Sequence, residues 1–402
     1  MSANAVSILS TFEDCVKTIL SGDTLLYIDG APRGYSVDFK GFSTRAVSEP
    51  NSETVIRGPR EGFVESVRTN TSLLRRKIKN PSLVIEGLVS GKKTNTDIAL
   101  VYLDGIVDKS VLKELKRRLS LIQCDSILDS GYIEQFIEDN HHSLFPTVGN
   151  TQKPDVAAAK ILEGRIAVIV DGSPHILTVP HLFVENLQTS DDYYIRRFMA
   201  SALRIIRLLA FFVSIFLPAF YLILQVFNQE MVPTEFLITM SASREGVPFP
   251  AIFEMLLMLA LFEFLKESGL RLPRQVGTAI SIVGALIIGE TAVSAGLVST
   301  PVVIIVAATA LCGFIIPAFN DVTSFYRFIM LILSALFGIF GLALGLIFMV
   351  FHLVSLESFT LPYTLPVSPF VKEGMKDFLI RFPLRKNSYI PLSESSRDNI
   401  KG

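Results

Sequence analysis

Residues 276–298 read VGTAISIVGALIIGETAVSAGLV, an apolar run in which Glu290 is the single charged side chain. A run of this length predicts a helix that spans a membrane. A carboxylate at the centre of a bilayer costs roughly 2.5 kcal/mol or more, so it needs a partner or water. The segment therefore predicts a membrane domain and, within it, a candidate functional residue.

The composition divides the chain into two unlike halves. Half of the residues are hydrophobic and only 19% are charged, which is unusual for a soluble domain. Up to about Tyr194 the sequence is mixed and charged, whereas apolar runs of membrane-spanning length follow one another from Ile205 to Val354. We predict an α/β cytoplasmic domain (1–195), an all-α polytopic membrane domain of four to five hydrophobic segments (196–355), and a Pro-rich, basic tail (356–402).

Charge and cysteine content exclude several classes of protein. The formal net charge is −1, so no nucleic-acid partner is predicted. The three cysteines are scattered without the spacing of a disulfide framework or a zinc site, and no cofactor is predicted. The first thirty residues contain no continuous apolar stretch, so we expect no signal peptide and a cytoplasmic amino-terminal domain.

A sequence pattern occurs twice in the soluble half. Residues 22–32 read GDTLLYIDGAP and residues 164–174 read GRIAVIVDGSP. Each predicts a helix that ends at the first Gly, a strand, an Asp-Gly turn and a second strand. We interpret the copies as two related lobes, about 1–90 and 91–195, with convergence of common turn chemistry as the alternative.

Between the copies, DIALVYLDG (97–105) predicts a buried strand, followed by helices at about 108–119 and 131–139. Asp108 or Ser110 is expected to cap the first of these helices. The loop LDGIVDKS lacks the glycines of a phosphate-binding loop, so nucleotide binding is not predicted. One basic segment, residues 57–80, either binds anionic lipid or an acidic subunit, or is a solvated helix face balanced by Glu61 and Glu65. Its candidate interaction residues are Arg57, Arg60, Arg68, Arg75 and Arg76.

The membrane half contains five apolar segments, which are Ile205–Phe227, Phe249–Phe264, Val276–Val298, Pro301–Ile316 and Phe328–Val354. Arginines precede the first segment, which places that end in the cytoplasm. Five crossings would leave the tail outside, although the tail is basic. We therefore expect one segment to enter and leave on the same side, either the one with Glu290 or the one with Glu254 and Glu263.

Small residues recur at helical spacing in two of these segments. In the third segment they form one ridge, which includes Ser281, Ala285 and Gly289, and the last segment repeats the pattern with Gly338, Gly341 and Gly345. Such ridges predict close helix–helix packing. Ile280, Val283, Ile287 and Glu290 share a neighbouring face, so Glu290 is predicted to lie beside a packing seam.

Three interpretations of Glu290 remain open: a structural acid between helices, a proton or cation site in a transporter, and one member of a ring of carboxylates around a pore. Glu254 and Glu263 are nine residues apart and are predicted to have separate partners, with Glu263 near the membrane interface. The five histidines are dispersed and no Ser or Cys has a nucleophile setting, so an enzyme is not predicted.

Several motifs resemble those of the A subunits of the GerA-type spore germinant receptors. They are RGPREGF (57–63), RTNTSLLRRKIK (68–79), ALVYLDGI (99–106), DSGYIEQFIEDN (129–140), LEGRIAVIVDGSP (162–174), REGVPFP (244–250), GLRLPRQVGTAISIVGALIIGE (269–290), and in the tail LPYTLPVSPF with KDFLIRFP. The resemblance covers nearly the whole chain. Family members usually carry a longer amino-terminal stretch, so we expect the first lobe to be incomplete or trimmed.

The resemblance implies a nutrient-sensor subunit in the inner membrane of the bacterial endospore. Its implied partners are a transporter-like B subunit that binds the germinant, a lipoprotein C subunit, membrane lipids, and further copies in a ring around a cation pore. On this basis we expect the third segment to line the path, with Ile280, Val283 and Ile287 as an apolar gate and Glu290 attracting cations. The alternatives are a secondary transporter or ion exchanger, and a sporulation-stage paralogue of the same family acting as an accessory ion channel.

Overall fold

The computed structural model describes residues 6–9, 11–12, 15–16, 24–30, 33–37, 47, 49–50, 53, 55–271, 284, 289–372 and 374–382. The chain divides into two compact units, 1–46 and 47–402. The smaller unit contains an antiparallel sheet of β1 (Val6–Leu9), β2 (Thr24–Leu26) and β3 (Gly34–Val37), in the order β1-β3-β2.

The larger unit contains a five-stranded antiparallel sheet in the order β4-β5-β7-β8-β6. Its strands are β4 (Leu83–Ser90), β5 (Thr96–Leu103), β6 (Gly149–Thr151), β7 (Ile166–Val170) and β8 (Ile176–Val179). Strand β4 pairs along its whole length with β5, so the predicted lobe boundary near residue 90 is not a boundary of this sheet.

The strand, Asp-Gly turn and strand predicted in each repeat are present in both units. Asp29-Gly30 joins β2 to β3, and Asp171-Gly172 joins β7 to β8. Gly30 has φ 83° and Gly172 has φ 91°, a conformation that glycine adopts without steric cost. The predicted helix before Gly164 is also present, whereas the one before Gly22 lies outside the described residues.

Helices cover both faces of the larger sheet because its strands alternate their side chains between two apolar cores. One face packs against α2 (Lys109–Ser120) and α3 (Ser130–Ile137), through Leu100 and Val168. The other packs against α1 (Val67–Lys77) and α4 (Pro154–Leu162), through Val101 and Ile169. Asp108 caps α2 by accepting a hydrogen bond from the Ser110 amide, as the sequence predicts.

A short helix, α5 (Asp191–Tyr194), leads into the helical region. That region contains α6 (Arg197–Val226), α7 (Thr234–Ala242), α8 (Ala251–Arg271), α9 (Thr300–Phe314) and α10 (Asn320–Ser355). Two hairpin strands, β9 (Glu357–Ser358) and β10 (Leu361–Pro362), follow.

Two of the described helical stretches, α6 and residues 317–355 including α10, are long and apolar enough to cross a membrane. Helix α9 is shorter, and the third predicted segment lies outside the described residues except for residue 284 and residues 289–298. Five separate hydrophobic segments therefore stay a prediction.

Helix α10 is not the single straight span that the sequence predicts. Gly338 inside it has φ 60° and ψ −137°, which lies in the left-handed region and breaks the helix. The rings of Tyr326 and His352 lie 5.6 Å and 6.0 Å from the ring of Phe145. A continuous helix would separate those two residues by about 39 Å, so α10 is a hairpin of two antiparallel arms, 320–337 and 339–355.

This hairpin resolves the conflict over the tail. Both ends of α10 lie beside the α/β domain, where Phe319 and Leu356 share one core with Phe145. The tail therefore returns to the side of the α/β domain, as its basic charge suggests. The last segment therefore turns back. The candidate with Glu254 and Glu263 does not, since α8 carries Glu254 beside the start of α9 and Glu263 beside the start of α10. The candidate with Glu290 lies largely outside the described residues.

Cysteine cross-linking tests the hairpin. In the folded-back helix, Met330 lies directly against Gly345, whereas a straight helix would hold them about 22 Å apart. We expect rapid disulfide formation in a chain with cysteines at 330 and 345 and with Cys15, Cys124 and Cys312 replaced, read by mass spectrometry of peptides. The outward-facing pair Leu336 and Ile347, both largely exposed, is the control, and equal reaction of both pairs would contradict the hairpin.

Candidate functional site: buried charges of the helical region

We call the end of the helical region next to the α/β domain the inner end, and the opposite end, where α6 ends and α9 begins, the outer end. Glu254 lies at the outer end and is fully buried. One carboxylate oxygen accepts a hydrogen bond from Arg244 Nε at 3.1 Å and lies 3.0 Å from Nη2 of the same guanidinium. The other accepts from the backbone N and the hydroxyl of Ser299, at 3.0 and 2.8 Å.

The position of Glu254 explains how a buried carboxylate is tolerated. It lies in the first turn of α8, and Ser299 is the residue that precedes α9, so two helix amino termini and one guanidinium face the negative charge. Pro248 and Pro250 interrupt the chain between Arg244 and α8. Glu254 therefore holds a loop and two helices together, and its three hydrogen bonds and its ion pair with Arg244 match a structural role.

Glu263 lies nearer the inner end than Glu254, between α8 and α10. It accepts hydrogen bonds from Lys266 at 2.9 Å, from the Ser324 hydroxyl at 2.7 Å and from Arg327 at 3.3 Å. The Arg327 side chain is only 2% exposed. Two cations thus share one carboxylate, and these contacts connect two helices that are distant in sequence.

Arg327 also supplies a hydrogen-bond donor that α6 lacks. Pro218 has no N–H, so the carbonyl of Ser214 four residues earlier loses its helical hydrogen bond. The Arg327 side chain donates from Nε to that carbonyl at 2.8 Å. An unsatisfied carbonyl in an apolar bundle would cost several kcal/mol, so Arg327 stabilises α6 at Pro218 while it holds Glu263.

A third cluster fixes the inner end of α6. Asp192 is fully buried and accepts from Arg204 at 3.0 Å and from Arg207 at 2.7 Å. From the tail, Asp377 accepts from the Tyr193 hydroxyl at 2.6 Å and from Arg204 at 2.9 Å. Arg381 donates to three backbone carbonyls of α5 and the residue after it, those of Asp192, Tyr193 and Ile195.

Charged groups also stabilise the α/β domain where it meets the tail. Although burial alone would raise the pKa of Glu185, the charges of Arg165 and Lys160 hold it well below its usual range. Tyr363 accepts through its carbonyl from the Phe183 backbone N at 2.9 Å. Phe359 inserts its side chain, fully buried, into the core beneath α2 and α3.

The predicted pore residues Ile280, Val283 and Ile287, and the packing residues Ser281 and Ala285, lie outside the described residues. Glu290 is described and is exposed in the single chain. A Cβ on the adjacent Gly289 would lie 3.6 Å from Val303 of α9, which places this stretch about one turn inward of Ser299.

The small residues of α10 lie where helices approach one another. Gly341 and Gly345 are buried, and a side chain at either would collide with the opposite arm, at Leu333 and Met330. Gly338 has a different role from its neighbours, because it forms the turn, with the ring of Phe227 3.2 Å from the position of an added Cβ.

Residues of the predicted basic patch contact acidic side chains. Arg76 pairs with Glu61 at 2.6 Å, Arg60 lies 3.8 Å from Glu49, and the backbone N of Arg57 faces Asp191 at 3.4 Å. Arg68 and Arg75 lie on α1. The ion pair between Arg76 and Glu61 agrees with the interpretation of this segment as a solvated helix face whose charge Glu61 balances. Binding of lipid or of an acidic subunit stays a prediction.

The sequence analysis did not identify Arg244 and Arg327, the arginine partners that allow Glu254 and Glu263 to lie within the helical region. Arg244 is in the quoted motif REGVPFP, and Arg327 lies one residue before the last predicted span. The signal for Arg327 was Pro218 within the first span, because a helix proline requires a donor for the carbonyl four residues earlier. Over the part of the chain that the structure describes, no group of three or more His, Cys, Asp or Glu side chains is arranged to hold a metal ion.

Comparison with known proteins gives consistent matches. A family model described as Bacillus/Clostridium GerA spore germination protein matches residues 1–392. Spore germination protein KA of Bacillus subtilis (strain 168) is 49% identical over 393 residues, which cover 97% of this chain and 72% of that protein. Uncharacterized membrane protein YfkQ of the same strain is 42% identical over 404 residues, 100% of this chain and 79% of that protein.

Among solved structures, the N-terminal domain of the A subunit of the Bacillus megaterium spore germinant receptor GerK3 matches with 42% sequence identity. The match covers 44% of this chain and 64% of that chain, with a TM-score of 0.26.

A double-mutant cycle tests the link between Pro218 and Arg327. Arg327→Met should destabilise the protein by about 3–5 kcal/mol, because it leaves Glu263 and the Ser214 carbonyl short of donors. In a Pro218→Ala chain the new N–H binds that carbonyl, so the cost should fall by about 1 kcal/mol or more. Unfolding in detergent measures both, and equal costs in the two backgrounds would contradict the link.

Proposed function

The chain belongs to the GerA family of spore germination proteins, and from this premise we propose that it is the membrane-embedded A subunit of a spore nutrient-germinant receptor. In this proposal, copies of the chain form a ring in the inner spore membrane. A transporter-like B subunit binds the germinant, a lipoprotein C subunit completes the receptor, and the ring opens a path for monovalent cations.

The observation that carries the proposal is the contrast among three acids of the helical region. Glu254 and Glu263 are satisfied by partners within the chain, whereas Glu290 is exposed on a single copy. A carboxylate facing hydrocarbon is unfavourable. Neighbouring copies that enclose a water-filled path would give Glu290 an aqueous environment, and a ring of such carboxylates attracts cations.

The location of Glu290 supports a role at the outer mouth of this path. It lies about one helical turn inward of Ser299, at the outer end of α9. Val283 and Ile287 precede it by seven and three residues, which on a continuous helix places them further inward on a similar face. There they would form an apolar constriction that closes the path by dewetting.

The second candidate function is a secondary transporter or ion exchanger that works by alternating access. The sequence contains no inverted repeat among its spans. Steady single-channel currents from reconstituted assemblies would favour the channel, and stoichiometric substrate uptake would favour the transporter. The sporulation-stage paralogue, acting as an accessory ion channel, differs from the receptor subunit in the time at which the protein acts.

Neutralising Glu290 tests the cation path. In liposomes that contain the assembled receptor, Glu290→Gln should lower cation flux about tenfold at low salt, because the local cation concentration falls. The reduction should shrink at 1 M salt, where the Debye length is about 3 Å. The matched control is Glu267→Gln on α8, because Glu267 is exposed and pairs with Arg271 on its own helix. Equal flux from the two variants would count against a path beside Glu290.

A further inference from the structure

Helix α8 is held differently at its two ends. Its outer half belongs to an apolar core that joins Met255, Met258 and Leu259 to Tyr221 and Val302. Beyond Phe262, the described residues of α8 belong to none of the apolar cores that the described part of the chain forms. The inner end of α8 instead contacts α10 through the polar side chains of Glu263 and Lys266.

The inner end of α8 also contacts the segment that leads to Glu290. A Cβ added to Gly284 would lie 2.8 Å from Leu265 of α8, so the segment lies against α8 at Gly284. The chain continues from the end of α8 at Arg271 into this segment. A movement of the inner end of α8 would therefore act on Gly284, which follows Val283 of the proposed path in the sequence.

Arg327, the α10 partner of Glu263, is held in place through the core that α10 shares with the α/β domain. The core that contains Tyr326 and Phe319 of the α10 region also contains Phe145 and Leu187 of the α/β domain and Phe211 of α6. Arg327 itself is anchored on the Ser214 carbonyl of α6. The α/β domain, α6 and α10 thus share one apolar core, from which the described inner end of α8 is absent.

We propose that Glu263 is a positioning residue that passes movement of the α/β domain and α10 to the segment that lines the cation path. This inference rests on the proposed function. A polar contact suits such a role, because Glu263 can shift between Lys266, Ser324 and Arg327 without opening a cavity, whereas an apolar contact would have to repack.

The charges make the contact depend on the carboxylate of Glu263. With Glu263 between Lys266 and Arg327, two like charges are held near one carboxylate. Loss of the carboxylate leaves those cations to repel one another across the junction of α8 and α10. Glu263→Ala should therefore separate the inner end of α8 from α10, while Glu263→Gln keeps hydrogen-bond acceptance from Ser324 and Arg327 and weakens the link less.

The experiment uses the full receptor in spores, with this chain and its partner subunits, and potassium release as the readout. The probe is a mixture of amino acids and glucose in potassium-free buffer. We expect Glu263→Ala to slow nutrient-triggered release about tenfold or more, and Glu263→Gln to slow it to a smaller extent. The control Glu267→Gln, on the same helix, should respond normally. Blotting of membrane fractions and cross-linking confirm equal amounts of assembled receptor.

A second variant, Val283→Ser, distinguishes a loss of coupling between the α/β domain and the cation path from a loss of conduction through that path. Val283→Ser opens the proposed apolar gate and should release potassium without nutrients. In a chain with both Val283→Ser and Glu263→Ala, the leak should persist while the nutrient response is lost. A normal response in Glu263→Ala, or loss of the leak together with the response, would overturn the coupling role.

The result for Val283→Ser alone tests the proposed function separately. Absence of a leak in this variant would count against the gate in the third segment. In that case the comparison of Glu263→Ala with Glu267→Gln still decides the coupling role, because it depends only on the nutrient response at equal receptor levels.

Discussion

A polar group inside an apolar helix bundle has no water to bind, so it needs a partner within the protein. The carbonyl of Ser214, freed by Pro218, meets this requirement through Arg327, and Arg327 in turn needs Glu263. One missing backbone donor in α6 therefore fixes the relative placement of α6, α8 and α10. Glu254 connects α8 to α9 by the same principle at the outer end.

Local chemistry made the α/β domain predictable. The Asp-Gly turns at residues 29–30 and 171–172 impose hairpins, because their glycines adopt positive φ at no steric cost. The run DIALVYLDG is a buried strand, and Asp108 caps the helix that follows it. Each of these predictions depends on residues within a few positions of one another, where sequence pattern and structure are directly related.

The helical region was less predictable because its decisive contacts join residues that are far apart in sequence. Glu254 and Ser299 are separated by 45 residues, and Glu263 and Arg327 by 64. Gly338 has the same spacing as the packing glycines Gly341 and Gly345, and no local signal separates a turn from a packing contact there. Its positive φ is imposed by the antiparallel arms, which meet through long-range contacts.

The return of the tail to the α/β domain gives the charges at the inner end their importance. Arg204 bonds both to Asp192, beside the start of α6, and to Asp377 in the tail, so the two ends of the helical region are held at one place. Phe359 adds a second attachment, in the core of the α/β domain. Rotation of that domain must therefore carry α6 and α10 together. The inner end of α8 is joined to them through polar contacts that can exchange partners, so its position can change without disrupting the apolar core that the α/β domain, α6 and α10 share.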